Sequence, residues 1–425
     1  MRRSILILGL AFVWVGCKNT PPQSSPTEPP PQTQNQIATS SPAPNVPKLT
    51  ALEAKDILSK AVDSAPKDPQ PRLELALFYQ RIGDLTEAER QLIETQTRFP
   101  KYVRAFYRLG TLYLAHGRLA DAAASLIKAA TLAPNDAEIL TTAGQVLLQI
   151  GREPEAEQYA KKAVKIDPQL SDVYLLLSRI NDHQGTANRA IEFAKKYATL
   201  SANPAPGLFM VGRTYARQAD SKNAEEWLIK ARDAAHDNPD IWLTLGRVYF
   251  EMLRSTKGAE GIKCFQKVLE LAPKDWEANL WMGRVKVDEK NYPEAINFFR
   301  VAIANAPHQG PLYYDLSQAL IKAGQNDEGQ KMLVIYQQYR AYQKELERIT
   351  SEALKAPNDR TKRVALVRHC LKHKQYRAAL AILKEAERTL GTDETFKRLQ
   401  YDIAQGLAST AAPMPQQQGA TGDVR

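Results

Sequence analysis

Six prolines constrain this chain more than any other feature. Pro66, Pro100, Pro134 and Pro168 stand 34 residues apart, and so do Pro273 and Pro307. Between successive prolines lie two runs with the apolar spacing of a helix, joined by a turn that usually holds glycine. In 100–134 the first run carries Phe106, Leu109, Gly110 and Tyr113, and the turn is His116-Gly117. The second run carries Ala122, Leu126 and Ala129. Two short helices around one turn cannot bury their own apolar faces, so copies must stack side by side. The period therefore predicts an all-α chain that grows by repetition, since 425 residues are too many for one compact core.

The repeats begin near 69, 103, 137 and 171, and each places the same residue types at the same offsets. That from 137 has Gly144, Gly151, Ala156, Ala163 and Pro168. Small residues let paired helices approach, large apolar ones fill the space between, and proline stops the second helix. The pattern resembles the tetratricopeptide repeat over about 66–391. The resemblance implies a right-handed α-solenoid of about eight to nine helix-turn-helix repeats.

The expected order is a capping helix over 49–65, regular repeats over 66–324, an extended helix over 325–356, and a weak repeat with a terminal helix over 357–408. The copy beginning at Trp242 carries about three extra residues in its turn, Ser255 to Glu260. In the extended helix, Met332, Ile335, Tyr339, Tyr342, Leu346, Ile349 and Ala353 alternate by three and four. That is a heptad seam. It predicts a long helix lying across its own chain's last repeat; pairing of two chains into a homodimer through 332–353 is the other reading the heptad allows.

The ends read differently. Arg2 and Arg3 precede an apolar run from Ile5 to Val15, too short to span a bilayer but right for a signal-peptide core. The run closes in Val15-Gly16-Cys17, which resembles a bacterial lipobox, with Trp14 where that pattern prefers Leu. Residues 1–17 thus read as a lipoprotein signal peptide with Cys17 as the lipidated residue and membrane anchor. Lys18 after it, not Asp, implies the outer membrane and a periplasm-facing protein. An unprocessed lipobox would instead give an inner-membrane or secreted chain. Residues 18–48, rich in Pro, Gln, Ser and Thr, read as a disordered tether, and 409–425 as a disordered tail.

No catalytic constellation is present: no phosphate-cradling glycine loop, no paired-cysteine metal motif, no nucleophile elbow. The expectation is a non-enzymatic protein with no cofactor and no bound metal. His369 and His373 lie four apart, but Arg368, Lys372 and Lys374 around them favour a solvated basic helix face. Cys264 and Cys370 sit where a small buried hydrophobe fits. The net charge is +10, and between 351 and 400 there are 12 Lys+Arg against 6 Asp+Glu.

The tetratricopeptide resemblance implies that first helices line a concave groove. Its ninth position is Arg179, Arg213, Arg247, Arg284 and Arg368, with Tyr107, Phe209, Phe250 and Tyr314 sharing the groove. Arg with aromatic neighbours makes binding hot spots, and its fork pairs with carboxylates. Asp182 lies three residues after Arg179, Glu251 four after Arg247 and Asp288 four after Arg284, spacings that allow same-helix pairs. Arg213 meets Arg217 instead, so the positive focus is expected at the fifth repeat. The sequence reading is a lipid-anchored scaffold binding a peptide segment, acidic in character, of another cell-envelope protein, for assembly of an envelope complex. Its architecture resembles that of lipoproteins assisting pilus secretin or outer-membrane assembly. The alternative is a polyanion or membrane-surface adaptor using 360–377, which holds seven Lys+Arg and no acid; nucleic acid is not an expected partner of an exported chain. Cys17→Ser should abolish lipid labelling and leave a precursor or soluble product, as metabolic acyl labelling and membrane fractionation would report. Unchanged membrane partition, with no acyl label on the native protein, would overturn the anchor.

Overall fold

The computed structural model describes residues 51–411 apart from Lys374, without the side chains of Arg377 and 408–411. The proposed signal peptide, Cys17, the tether and most of the tail therefore lie outside the described residues. Those described form twenty α-helices and one π-helical segment, without strands. The chain divides after Pro273 into two compact units. None of the described helices is long and apolar enough to cross a membrane.

The first unit opens on α1 (Ala51–Ser64), the expected capping helix. Five helix pairs follow: α2 (Pro69–Arg81) with α3 (Leu85–Arg98), α4 (Val103–Ala115) with α5 (Leu119–Leu132), and α6 (Ala137–Gln149) with α7 (Glu153–Ile166). Next come α8 (Ser171–His183) with α9 (Ala187–Leu200), and α10 (Ala205–Arg217) with α11 (Ser221–Ala234). A sixth pair is α12 (Pro239–Arg247) with α13 (Arg254–Leu271). Local chemistry starts these helices. The side chains of Asp68, Asp84, Asp136, Asp220 and Asn238 each accept a hydrogen bond from a backbone N–H of the following first turn.

Seven of the described pairs turn at one left-handed residue. Gly83, Gly117, Gly151, Gly185 and Gly324 fill that place at positive φ, where glycine lacks the Cβ penalty. In two pairs the glycine is gone and the backbone is not: Ala219 sits at φ 60° and Lys290 at φ 59°. The second requirement is close approach between paired helices. A Cβ on Gly110 would lie 2.5 Å from Leu126 Cγ, and one on Gly212 would lie 2.7 Å from Leu228 Cγ. At Gly246 and Gly283 the occupants are the buried rings of Phe265 and Phe299. One missing side chain per pair thus admits one large one from the partner helix.

The sixth pair departs from the expected longer turn. Its first helix closes in a π-helical segment, Val248–Met252, and its second is lengthened to 18 residues with a kink at Lys257. The extra residues stay in helical backbone because wide π turns keep their peptide groups bonded. The Tyr249 hydroxyl donates to Glu225 Oε1 at 3.0 Å and Lys257 pairs with the same carboxylate, tying the segment to α11.

The second unit holds α14 (Trp276–Asp288), α15 (Tyr292–Asn305), α16 (Gly310–Lys322), the 30-residue α17 (Asn326–Lys355), α18 (Arg360–Lys372), α19 (Tyr376–Leu390) and α20 (Glu394–Ala411). α20 runs on past the expected end at 408. The heptad seam of α17 packs on its own chain. Met332 joins the core of α14 to α16, and the Tyr339 ring lies over the bare face of Gly310. Tyr342 stacks on His369, and Leu346, Ile349 and Ala353 close on Leu366 and Ile382. Of the seven seam residues Ile335 alone stays exposed, at 38%. Pairing of two chains through 332–353 would have to displace this packing. Cys264 and Cys370 are buried free thiols, pushed up to about 11 by desolvation.

Replacing Ala219 or Lys290 by glycine should relieve the left-handed strain and stabilise the fold by about 1 kcal/mol each. Chemical denaturation checks this; a loss of stability at either position would overturn the turn analysis.

Candidate functional site

In the first unit the arginines gather where α8 meets α10. Asp182, in the last turn of α8, has a side chain only 2% exposed. Its carboxylate is shared by two guanidiniums of the next repeat. Arg213 Nη2 reaches Oδ2 at 3.3 Å, and Arg217 pairs with Oδ1. The Thr214 hydroxyl donates to Met210 O at 2.8 Å and approaches Asp182 Oδ1 at 3.4 Å. This corrects two sequence expectations: Asp182 does not serve Arg179, and Arg213 and Arg217 do not lack an acid. Asp182 is buried toward α10 whereas Arg179 is exposed, so three-residue spacing on one helix does not bring them together.

Arg179 consequently has no acidic partner among the described residues. Desolvation by the surrounding protein, and then the Arg213 charge, lower its pKa. Desolvation also lowers Arg213 and Arg217, with Asp240 opposing at Arg213. Arg213 Nε is buried and makes no hydrogen bond, and its guanidinium lies 5.9 Å from the centroid of the Phe209 ring. Two guanidiniums therefore share one carboxylate, and the Arg179 charge acts on Arg213 with no acid of its own, leaving local positive charge beside a half-buried aromatic face.

The other predicted groove residues fare unequally. Arg247 lies 3.7 Å from Glu251 on its own helix, as its spacing predicts. Phe250 is not a groove aromatic: it is 8% exposed, held edge-on against Phe265 at 6.0 Å under the Arg254 guanidinium. The π-helical segment advances the backbone phase there and turns Phe250 into the core. Tyr107 is half-buried and donates its hydroxyl to Glu138 Oε1 at 2.8 Å, bridging α4 and α6.

In the second unit Arg284 binds Asp315 of the next repeat, at 2.9 and 3.1 Å, not Asp288, while its guanidinium lies over Trp281. Burial raises the Asp315 pKa and Arg284 opposes it. Tyr314 is 43% exposed, its ring 5.1 Å from that of Tyr336. Arg368 is exposed and makes no ion pair among the described residues. Within the basic stretch, Arg360 is committed to Asp393 and Arg363 donates to Pro357 O. Among the described residues no group of three or more His, Cys, Asp or Glu is placed to hold a metal.

Sequence reasoning missed Asp182 and Asp315 as partners in this role. Asp182 lies 31 residues from Arg213 and Asp315 lies 31 from Arg284, three short of the repeat period, and that spacing was the available signal.

A family model described as tetratricopeptide repeat matches residues 73–137, 107–171 and 251–309, and a second one matches 286–340. The matched segments are tetratricopeptide repeats. Tetratricopeptide stacks are in general protein-binding scaffolds, and the matched models indicate no enzyme family. Two curated relatives share single stretches with this chain. The BBSome complex member BBS4 of Mus musculus is 31% identical over 87 residues, 20% of this chain and 16% of the relative. Tetratricopeptide repeat protein 21B of Homo sapiens is 30% identical over 96 residues, 23% of this chain and 7% of the relative. The chain thus spans under a fifth of either. Among solved structures, PilW, a widely conserved type IV pilus biogenesis factor, is 19% identical with a TM-score of 0.45, covering 49% of this chain and 96% of that one.

The contact between α8 and α10 yields an unequal prediction. Removing both Arg213 and Arg217 (to Ala) strands a buried carboxylate and should cost about 3–5 kcal/mol. Asp182→Asn leaves two half-exposed cations that water can solvate and should cost about 1–2 kcal/mol. Equal losses in urea denaturation would contradict this geometry.

Proposed function

We propose that this protein is a non-enzymatic tetratricopeptide scaffold that captures an extended, acidic segment of another cell-envelope protein in its groove and serves assembly of an envelope complex. The observation that carries the reading is that Arg213 and Arg217 share the single buried carboxylate of Asp182 while the neighbouring Arg179 has no acid of its own. An internal salt bridge needs one guanidinium per carboxylate, so this cluster has attraction to spare for an outside anion. Phe209, half-buried beneath Arg213, offers apolar contact beside the charge. The anchor belongs to the same proposal: Cys17, lipidated, would hold the chain on the periplasmic face of the outer membrane, with 18–48 as the spacer. Thirty residues of polyproline-like chain reach at most about 90–100 Å.

The alternative, a polyanion or membrane-surface adaptor built on 360–377, keeps Arg368 and Lys372 exposed but spends Arg360 on Asp393. Salt separates the readings, because polyanion binding falls steeply with ionic strength and a groove anchored by an aromatic falls less.

Arg179 is the residue to change, since it supports no buried acid. Once a partner has been recovered by pull-down from solubilised envelope, Arg179→Glu should weaken its binding by about 1.5–3 kcal/mol with helicity and unfolding midpoint unchanged. Equal affinities of native and variant protein, measured by calorimetry, would remove the groove reading.

A further inference from the structure

The contact between α17 and α18 holds three packed rings that the scaffold role does not use. Tyr342 of α17 lies face to face with His369 of α18, centroids 5.0 Å apart and planes within 7°. His373 closes the group, 4.3 Å from the Tyr342 centroid and 4.8 Å from that of His369. This is not the solvated helix face the sequence suggests, at least for His369, which is half-buried. Tyr342 and His369 stack and His373 tilts against both; no third His, Cys, Asp or Glu among the described residues joins the two histidines in a metal-holding group.

His369 Nε2 is buried and makes no hydrogen bond. A neutral imidazole tolerates this by keeping a bare lone pair there. An imidazolium must place an N–H at the same atom, where no acceptor waits. A second imidazolium at His373 would add a like charge less than 5 Å away. The groups that face the pair decide the balance. On α17 these are Tyr342 and Glu345; Glu345 favours the cation but is already bonded to Arg348 at 2.7 Å. On α18 Lys372 opposes both imidazoles, and the buried Cys370 thiol lies beside Tyr342. Tyr339 flanks Tyr342 on α17. Among the described residues no charged group of α19 or α20 acts on either imidazole; Lys374, next in sequence, is not among them.

We propose that the α17–α18 contact is an acid-sensitive joint, in which proton uptake by His369 and His373 loosens the long helix from the three terminal helices. The sign follows from linkage. Desolvation first, then neighbouring cations, lower both histidines below their ordinary value near 6.5. The closed contact binds fewer protons than the open one, so it is fully stable above about pH 6.5 and weakens as pH falls toward the lowered values. The apolar part of the contact, Ile349, Ala353 and Leu366, does not titrate and sets how far opening goes.

Hydrogen exchange of the full chain, corrected for intrinsic rates, reads the joint directly. Between pH 7.5 and pH 5.0, protection of 342–355 and 364–373 should fall selectively relative to 137–166, by up to about thirtyfold for each proton taken up, the limit that 1.5 units of pH below the open-state value sets. His373→Lys, at an exposed position, should show reduced protection already at pH 7.5. His369→Phe with His373→Phe keeps stacked rings and should show no acid response. A native chain without selective loss at pH 5.0, or a His373→Lys chain as protected as the native one at pH 7.5, would overturn the proposal. An acid response that persists in the double Phe variant would assign it to other groups and overturn the proposal equally.

Discussion

Everything in this fold depends on how closely two helices of a pair can approach. At Gly110, Gly212, Gly246 and Gly283 the first helix offers bare backbone, and the second inserts Leu126, Leu228, Phe265 or Phe299. Packing of that kind tolerates no added methyl without displacing a fully buried side chain. The tight pair fixes the angle at which the next pair docks, and the docking brings Asp182 within reach of Arg213 and Arg217. The electrostatics of the groove are therefore a consequence of steric fit several residues away.

The buried carboxylates show how the stack handles charge. Asp182 and Asp315 each reach across to an adjacent repeat, and the Tyr107–Glu138 bond does the same through a neutral donor. Such bonds couple neighbouring repeats where a same-helix pair would couple nothing beyond its own turn. A solenoid is stable in proportion to these nearest-neighbour terms. The surplus of guanidinium over carboxylate at α8–α10 is then a local departure from neutrality, and the proposed binding site rests on that departure.

Much of this was legible in the sequence, and the failures share one cause. The proline period and the turn glycines act within a few residues, so the helix pairs of the regular repeats could be read directly, the sixth pair excepted. The seam of α17 was readable too, because a heptad is also a local pattern. Partner choice was not. The same-helix rule assigned Asp182 to Arg179 and Asp288 to Arg284, but a carboxylate near the inter-repeat seam has a nearer guanidinium one repeat away. Phe250 was misplaced because counting along an ideal helix fails once a π turn has advanced the phase. The stacking of His369 on Tyr342 was invisible because it joins residues of two helices that only the long α17 brings together.

The length of α17 also has a consequence for anything that would lie along the groove. An ordinary second helix here has 14 residues, whereas α17 has 30. The added 16 residues carry the chain about 24 Å farther along the helix axis before α18 begins. A ligand advancing one repeat at a time past α14 and α16 would lose its frame at that step. To reach Arg368 it would have to span the offset with about seven further extended residues. The groove is punctuated at that point, and α18 and α19 begin a separate line of text.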